Sequence, residues 1–566
     1  MRRFRRLLLV VILIGVAAWV LLPSRGMHVE QGSILLLDLE GDFVEATEPP
    51  FWSRLVGGGR RPFVGILSEL AKAQRDDRLA AVVVRIRSLQ VEWGMAAELR
   101  EAIAELAAKR RTVAYLEVGA LAANREYFVA TGAPEIVVAP GATSPLMGLA
   151  AEFLFLGGLW EKIGAGVETI GKGEYKSAAE TLAGTKMSPA HREMATAILD
   201  STYAAFIEGI ASSRELTPDF VRGVIDSAPV APEELRGLGL VDRVAFLDET
   251  IAGIGEGPVV KAEDYRGVDP ASVGFDPVAR FALVYGAGNV VMGESDSTSR
   301  SPMLASDDVS QALEDAAKDP EIAAIIFRVD SPGGSPLAAD IVWRAAARAK
   351  EAGKPLIASV SNVAASGGYY VLAGADEILA SPASLVGSIG VFVVRPVFGG
   401  LLDKLGIGYE SMTRGRHADI LVSTQVLSEG GRERMHAELD AIYDTFLDRV
   451  AGGRGLSREQ VHAVGRGRVW TGAQAVDVGL VDSLGGLRAA VRRAKERAGI
   501  DAEADVALVP YPEPRSLVEQ LDEAFQQSAV IATPRLPALL QDLEPLLGAW
   551  AADEPLALPP FLVRIR

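Results

Sequence analysis

Short runs of apolar, often β-branched residues alternate along this chain with longer helical stretches. AAVVVRIRS (80–88) and AAIIFRVDS (323–331) have the unbroken apolar character of strands buried on both faces, and VAYLEV (113–118) and PLIASV (355–360) are further strand candidates. Between them AAELREAIAELAAKRR (96–111) and SQALEDAAKD (310–319) predict helices. Alternating strand and helix predicts an α/β fold with a mainly parallel sheet.

The same pattern occurs twice. LAANREYFVATGAPEIVVAP (121–140) and VAASGGYYVLAGADEILASP (363–382) share Tyr127/Tyr369, Gly132/Gly374, Glu135/Glu377 and Pro140/Pro382 at a shift of 242. Upstream the strand candidates match at 243, and downstream Gly239-Leu240-Val241-Asp242 matches Gly479-Leu480-Val481-Asp482 at 240. The chain is a tandem duplication. The boundaries that follow are a first α/β repeat over 29–255, a linker over 256–278 rich in Gly, Pro and Asp, a second repeat over 279–500, and a Pro- and Leu-rich tail over 501–566. The tail is expected to pack against the body.

Ahead of the first repeat, Arg2, Arg3, Arg5 and Arg6 precede sixteen uncharged, mainly apolar residues, Leu7 to Leu22. As a helix these rise about 24 Å, a little short of a bilayer core, so the arginines would snorkel. Trp19, Leu21 and Leu22 offer no convincing small-x-small cleavage site. Residues 1–28 therefore predict an uncleaved transmembrane anchor, arginines inside and the remainder on the extracytoplasmic side of a bacterial inner membrane.

Composition narrows the chemistry. The 566 residues are too many for one core, and 49% of them are apolar. A net charge of −17 disfavours nucleic acid as a partner. The chain has no cysteine, which excludes disulfides, zinc-thiolate sites and thiol nucleophiles. It shows no metal-binding cluster and no nucleotide loop, so no cofactor is expected.

One contrast between the copies points to a site. Ser366, set in Ala-Ala-Ser-Gly-Gly, faces Asn124 in the first copy. Its small neighbours let a substrate backbone approach and leave the Gly367 N–H free for an oxyanion. A serine nucleophile needs a base. Of the five histidines, His28 adjoins the anchor and His191 and His436 fall in polar helical stretches expected to be exposed; His417 alone is near the relevant frame. Lys176 is a better candidate. It stands 52 residues after Asn124, whereas the residue 52 after Ser366 is Ala418. One copy has kept the lysine and the other the serine, so the pair can meet only across the repeats. Acting as a base requires a neutral amine, hence a pKa lowered from about 10.4. Ser-Lys is an established variant of the serine-nucleophile logic. RVDSPGGS (328–335), a glycine turn at the end of a buried strand, is the candidate for the second half of an oxyanion hole; the first copy reads RIRSLQVEW there, without the glycines.

RVDSPGG (328–334), AASGGYY (364–370), GSIGV (387–391) and YKSAAE (175–180), in a duplicated chain behind one apolar N-terminal run, resemble the S49 signal peptide peptidases in their long two-repeat form. The resemblance covers roughly residues 30–500. It implies a ClpP/crotonase-like fold and a membrane-bound serine endopeptidase that degrades remnant signal peptides and assembles as a homotetrameric bowl open to the membrane. It also implies Ser366 as nucleophile, Lys176 as general base, Ser388 as the serine that orients the lysine, and Gly334 and Gly367 as oxyanion donors. Asp330 departs from the family, which commonly has Asn there. Two other readings compete: a crotonase-like acyl-thioester enzyme on the same fold, which would need carboxylate acid/base residues, and a non-catalytic membrane scaffold.

Overall fold

The computed structural model describes residues 29–45, 61–119, 123–295 and 302–512. The expected anchor and nearly all of the tail lie outside them. Among the described residues no helix is long and apolar enough to cross a membrane.

Each repeat builds a parallel sheet of the same topology. In the first the spatial order is Arg243–Val244, Glu135–Val138, Thr112–Leu116, Leu79–Leu89, Ser33–Gly41, Val259–Lys261. In the second, Ser483–Leu484, Glu377–Ala380, Leu356–Ala365, Ile322–Ser331, Pro277–Ala287 and Asp505–Tyr511 stand in the same order. Strands Leu385–Gly387 and Val469–Thr471 extend the second sheet beyond the end of Leu356–Ala365, the latter antiparallel. The closing strand of each sheet falls where the sequence pattern reads as linker or tail. Val259–Lys261 pairs with Ser33–Gly41, and Asp505–Tyr511 pairs with Pro277–Ala287.

Both faces of the second sheet are covered. Along Ile322–Ser331, Ile325, Phe327 and Val329 pack with Val309, Leu313, Ala338 and Val342 of helices Ser306–Lys318 and Pro336–Glu351. The alternate residues Ala324 and Ile326 face a core shared with the first repeat, which includes Leu99 and Ile103 of helix Trp93–Ala107 and Leu487 and Ala490 of helix Leu487–Arg497. This period of two is the pleat of a strand, and covering both faces explains the unbroken apolar run. It also sends Arg328 into the shared core.

Arg328 is 1% exposed there and is fully partnered. Its guanidinium donates to Glu45 Oε2 at 3.0 Å and Oε1 at 2.6 Å, to Glu98 Oε1 at 2.7 Å and to Ser359 Oγ at 2.9 Å. Glu98 also accepts from the Leu487 N–H at 2.8 Å, and Ser361 Oγ donates to Glu45. Burial alone would lower the Arg328 pKa, but the two carboxylates outweigh it and hold the guanidinium protonated. Both carboxylates come from the first repeat, so this cluster fastens one repeat to the other.

A second fastening leaves the sheets. Strand Gly166–Lys172 of the first repeat pairs antiparallel with Val391–Val397 of the second, with Lys172 opposite Val391 and Gly166 opposite Val397. This two-stranded ribbon begins three residues after Ser388 and ends four before Lys176.

Candidate active site

Ser366 joins strand Leu356–Ala365 to helix Gly367–Leu372 in a backbone conformation rare for a residue with a side chain, φ 55° and ψ −119°. Its N–H donates to the Gly387 carbonyl at 2.7 Å, and its own carbonyl accepts from the Tyr369 and Tyr370 N–H groups. These bonds hold the strained turn and leave Oγ at the strand end, where open α/β sheets present their ligands.

The ribbon delivers Lys176 to it. Lys176 Nζ lies 2.7 Å from Ser366 Oγ, 2.8 Å from Ser388 Oγ and 2.9 Å from the Ser388 carbonyl oxygen. A neutral amine has one lone pair and two N–H bonds, so it can accept the Ser366 hydroxyl proton while donating to both Ser388 oxygens. Lys176 is 6% exposed, and Ser366 and Ser388 are fully buried. Burial lowers the Lys176 pKa well below its ordinary value. Ser388 is itself held at φ 53°, its N–H donating to the Arg468 carbonyl at 2.7 Å.

The two glycines converge on the same spot. The Gly367 N–H belongs to the first turn of its helix and has no intrahelical acceptor. A Cβ placed on Gly367 would lie 3.1 Å from the Gly334 nitrogen, so the two amides are close neighbours. Gly334 has φ 156°, and a Cβ there would stand 2.1 Å from the Val290 carbonyl oxygen, a space that only glycine fits. The Val290 N–H donates to Gly333 O and its carbonyl accepts from the Ser335 N–H, which fixes the turn.

The five residues singled out by sequence thus come together. The first copy's counterparts do different work. Asn124 donates from Nδ2 to Gly148 O at 2.8 Å and accepts from the Met147 N–H at 3.1 Å, stapling a loop; Leu146, opposite Ser388, is buried. Ala418 lies in a short 3-10 turn, and His417 beside it is exposed. His436 is exposed as expected, but His191 is not. It is fully buried, its ring edge-on to Phe153 and its Nδ1 3.1 Å from Glu180 Oε2, because helix Pro189–Arg214 packs that face inward.

Asp330 accepts from Asn362 Nδ2 at 2.9 Å and from the Val363 N–H at 3.0 Å, bridging the strands that end in the Gly-Gly turn and in Ser366. Asn362 Oδ1 in turn accepts from the Met95 N–H of the first repeat at 3.0 Å. Burial and the neighbouring Glu45 charge push the Asp330 pKa up to about 7. Sequence reasoning did not anticipate the Arg328 cluster, whose partners are 283 and 230 residues away in the chain.

Comparison with known proteins shows the family. The model of peptidase family S49 matches residues 104–260 and 348–501, one segment in each repeat. The chain is similar to the chloroplastic serine protease SPPA of Arabidopsis thaliana, 29% identical over 536 residues and covering 93% of this chain and 78% of that protein. It is 28% identical to Protease 4 of Salmonella typhi, covering 86% and 82% respectively. Among solved structures it matches a ClpP1 mutant from Listeria monocytogenes at 15% identity and TM-score 0.22, over 38% of this chain and 94% of that one. With more than half of the chain matched across both repeats, the chain belongs to peptidase family S49 and is a serine protease.

Proposed function

We propose that this protease is a membrane-anchored endopeptidase whose Ser-Lys dyad is split between two ClpP/crotonase-like repeats, and that it degrades cleaved signal peptides and other hydrophobic peptides. The observation that carries the reading is the 2.7 Å approach of a buried, carboxylate-free Lys176 Nζ to Ser366 Oγ.

In this mechanism neutral Lys176 removes the Ser366 hydroxyl proton as Oγ attacks the substrate carbonyl carbon. The negative charge gathers on the carbonyl oxygen and is met by the Gly334 and Gly367 N–H groups. Collapse breaks the C–N bond, and the lysine ammonium returns its proton to the departing amine. A water enters, Lys176 takes one of its protons, and hydroxide attack on the acyl ester frees the carboxylic acid and restores Ser366. Ser388 holds the amine in line throughout. An anchor formed by residues 1–28, placing the site outside the cytoplasm, would bring it peptides lying at the membrane face, and a homotetramer would enclose them. No step requires a cofactor.

The test is hydrolysis of a fluorogenic apolar peptide by the full chain in detergent. Ser366→Ala and Lys176→Ala should each lose activity, and the wild-type rate should rise with pH through one ionisation as Lys176 loses its proton. Activity retained by Lys176→Ala would sink the dyad.

A further inference from the structure

Five non-glycine residues among those described have a positive φ: Glu215, Ala228, Ser366, Ser388 and Arg466. Glu215 and Ala228 end helices, where left-handed residues are ordinary. Ser366 and Ser388 belong to the site. Arg466, at φ 51°, does neither; it lies between helix Arg458–Val464 and strand Val469–Thr471. Strained backbone persists only where its surroundings impose it, and it gathers at functional sites.

What surrounds Arg466 is the back of the dyad. The Arg466 carbonyl accepts from the Tyr175 N–H at 2.9 Å, immediately before Lys176. The Arg468 carbonyl accepts from the Ser388 N–H at 2.7 Å, and the Gly467 N–H donates to Ile389 O at 2.7 Å, immediately after Ser388. Between these bonds Gly467, at φ 81°, lies against the backbone of the lysine; a Cβ there would come within 2.5 Å of the Lys176 backbone nitrogen and 2.6 Å of its Cβ. Three consecutive residues thus touch the base from the first repeat and its orienting serine from the second.

The side chains secure this turn. Arg466 pairs with Glu174 at 2.7 Å and Arg468 with Glu193 at 2.7 Å. The Arg468 guanidinium stacks 4.9 Å from the Tyr175 ring and 4.5 Å from that of Trp470. The Tyr175 hydroxyl reaches the same Glu193 carboxylate at 3.2 Å, and the Arg466 N–H donates to Tyr443 Oη at 3.3 Å. Each guanidinium is neutralised by its own carboxylate, so the pair serves as planar plates against aromatic rings.

We infer that the Arg466–Gly467–Arg468 turn is the positioning element of the dyad, locking the Lys176 backbone to that of Ser388 so that Nζ stays dry and within reach of Ser366 Oγ. The inference rests on the Ser-Lys reading. It makes these three residues positioning residues, since they act through Lys176 and Ser388. Misplacing a reacting group by about 1 Å costs on the order of 10²-fold in rate. Water admitted to Nζ would restore hydration of the ammonium and raise the lysine pKa.

The experiment compares Gly467→Ala and Arg468→Ala with wild type, as full chains in detergent, reading kcat, KM and the pH midpoint of kcat. Gly467→Ala is expected to lower kcat about 10²-fold with KM within about twofold, and to move the midpoint to higher pH. Arg468→Ala should shift both in the same direction by less, and it carries the test should Gly467→Ala fail to fold. Wild-type kcat and midpoint in the folded variants would overturn the inference, as would a fall in kcat with an unmoved midpoint, which marks a purely structural role. Lys176→Ala, run alongside, separates the two claims: if it is inactive while the turn variants behave as wild type, the dyad stands and the positioning turn falls.

Discussion

Lys172 and Val391 face each other across the antiparallel ribbon, and that register decides where Lys176 ends. Slipping the pairing by one residue would turn every side chain on the ribbon over and carry the lysine about 3.3 Å along it. The approach of Lys176 to Ser366 is therefore set by strand pairing.

Ser388→Ala removes one of the two acceptors of Lys176 and leaves the Ser388 carbonyl. Losing one hydrogen bond costs about 1–3 kcal/mol when the group left behind is buried. We expect kcat to fall about 10- to 100-fold with KM little changed, read by steady-state hydrolysis of a fluorogenic peptide.

Gly334→Ala places a methyl group against the Val290 carbonyl and forces the turn to move. In the proposed mechanism one of the two oxyanion donors is then lost. The expected result is a 10²- to 10³-fold drop in kcat, in the range of removing a single donor elsewhere. An unchanged kcat would remove Gly334 from the mechanism.

Lys176 makes stability depend on pH in a definite direction. Its folded pKa lies below the unfolded value of about 10.4, so between the two the unfolded chain binds more protons, and stability rises with pH through that window. Lys176→Met abolishes the effect. Urea midpoints measured at pH 7.5 and 9.5 should show wild type gaining on Lys176→Met by up to about 1.4 kcal/mol per pH unit.

Glu98→Ala leaves Arg328 with one carboxylate in a core shared by both repeats and also strips the Leu487 N–H of its acceptor. Breaking a buried ion pair from one side costs about 3–5 kcal/mol. The urea midpoint should fall accordingly, and loss of activity should follow loss of the fold rather than precede it.

Asp330 works in the opposite sense to Lys176. A carboxyl whose folded pKa is raised to about 7 makes the fold less stable as pH climbs from about 4 towards 7, because the folded state keeps a proton the unfolded state has released. In Asp330→Asn that slope should disappear from urea midpoints taken at pH 5 and 7.5.

Much of this was legible in the chain. The duplication and the alternation of strand and helix are periodic signals, and Ser366 and Lys176 stood out because each copy had lost what the other kept. What escaped had no local signature. Val259–Lys261 is a strand because Ser33–Gly41 offers it an edge, not because its Gly- and Pro-flanked sequence favours one. His191 sits among charged residues and is nonetheless buried, since one face of its helix turns inward. Arg466-Gly467-Arg468 reads as an ordinary basic loop until the chain brings Lys176 beneath it.

The ribbon between Gly166–Lys172 and Val391–Val397 joins strands more than two hundred residues apart, and this orders events during synthesis. On the proposed mechanism a first repeat emerging alone carries a base with nothing to activate. Proteolysis by that mechanism requires the second repeat to have emerged and clasped the first, so half a site would not cut the unfinished chain. On the same mechanism each repeat supplies a residue the other lacks, so deleting either copy would delete the site.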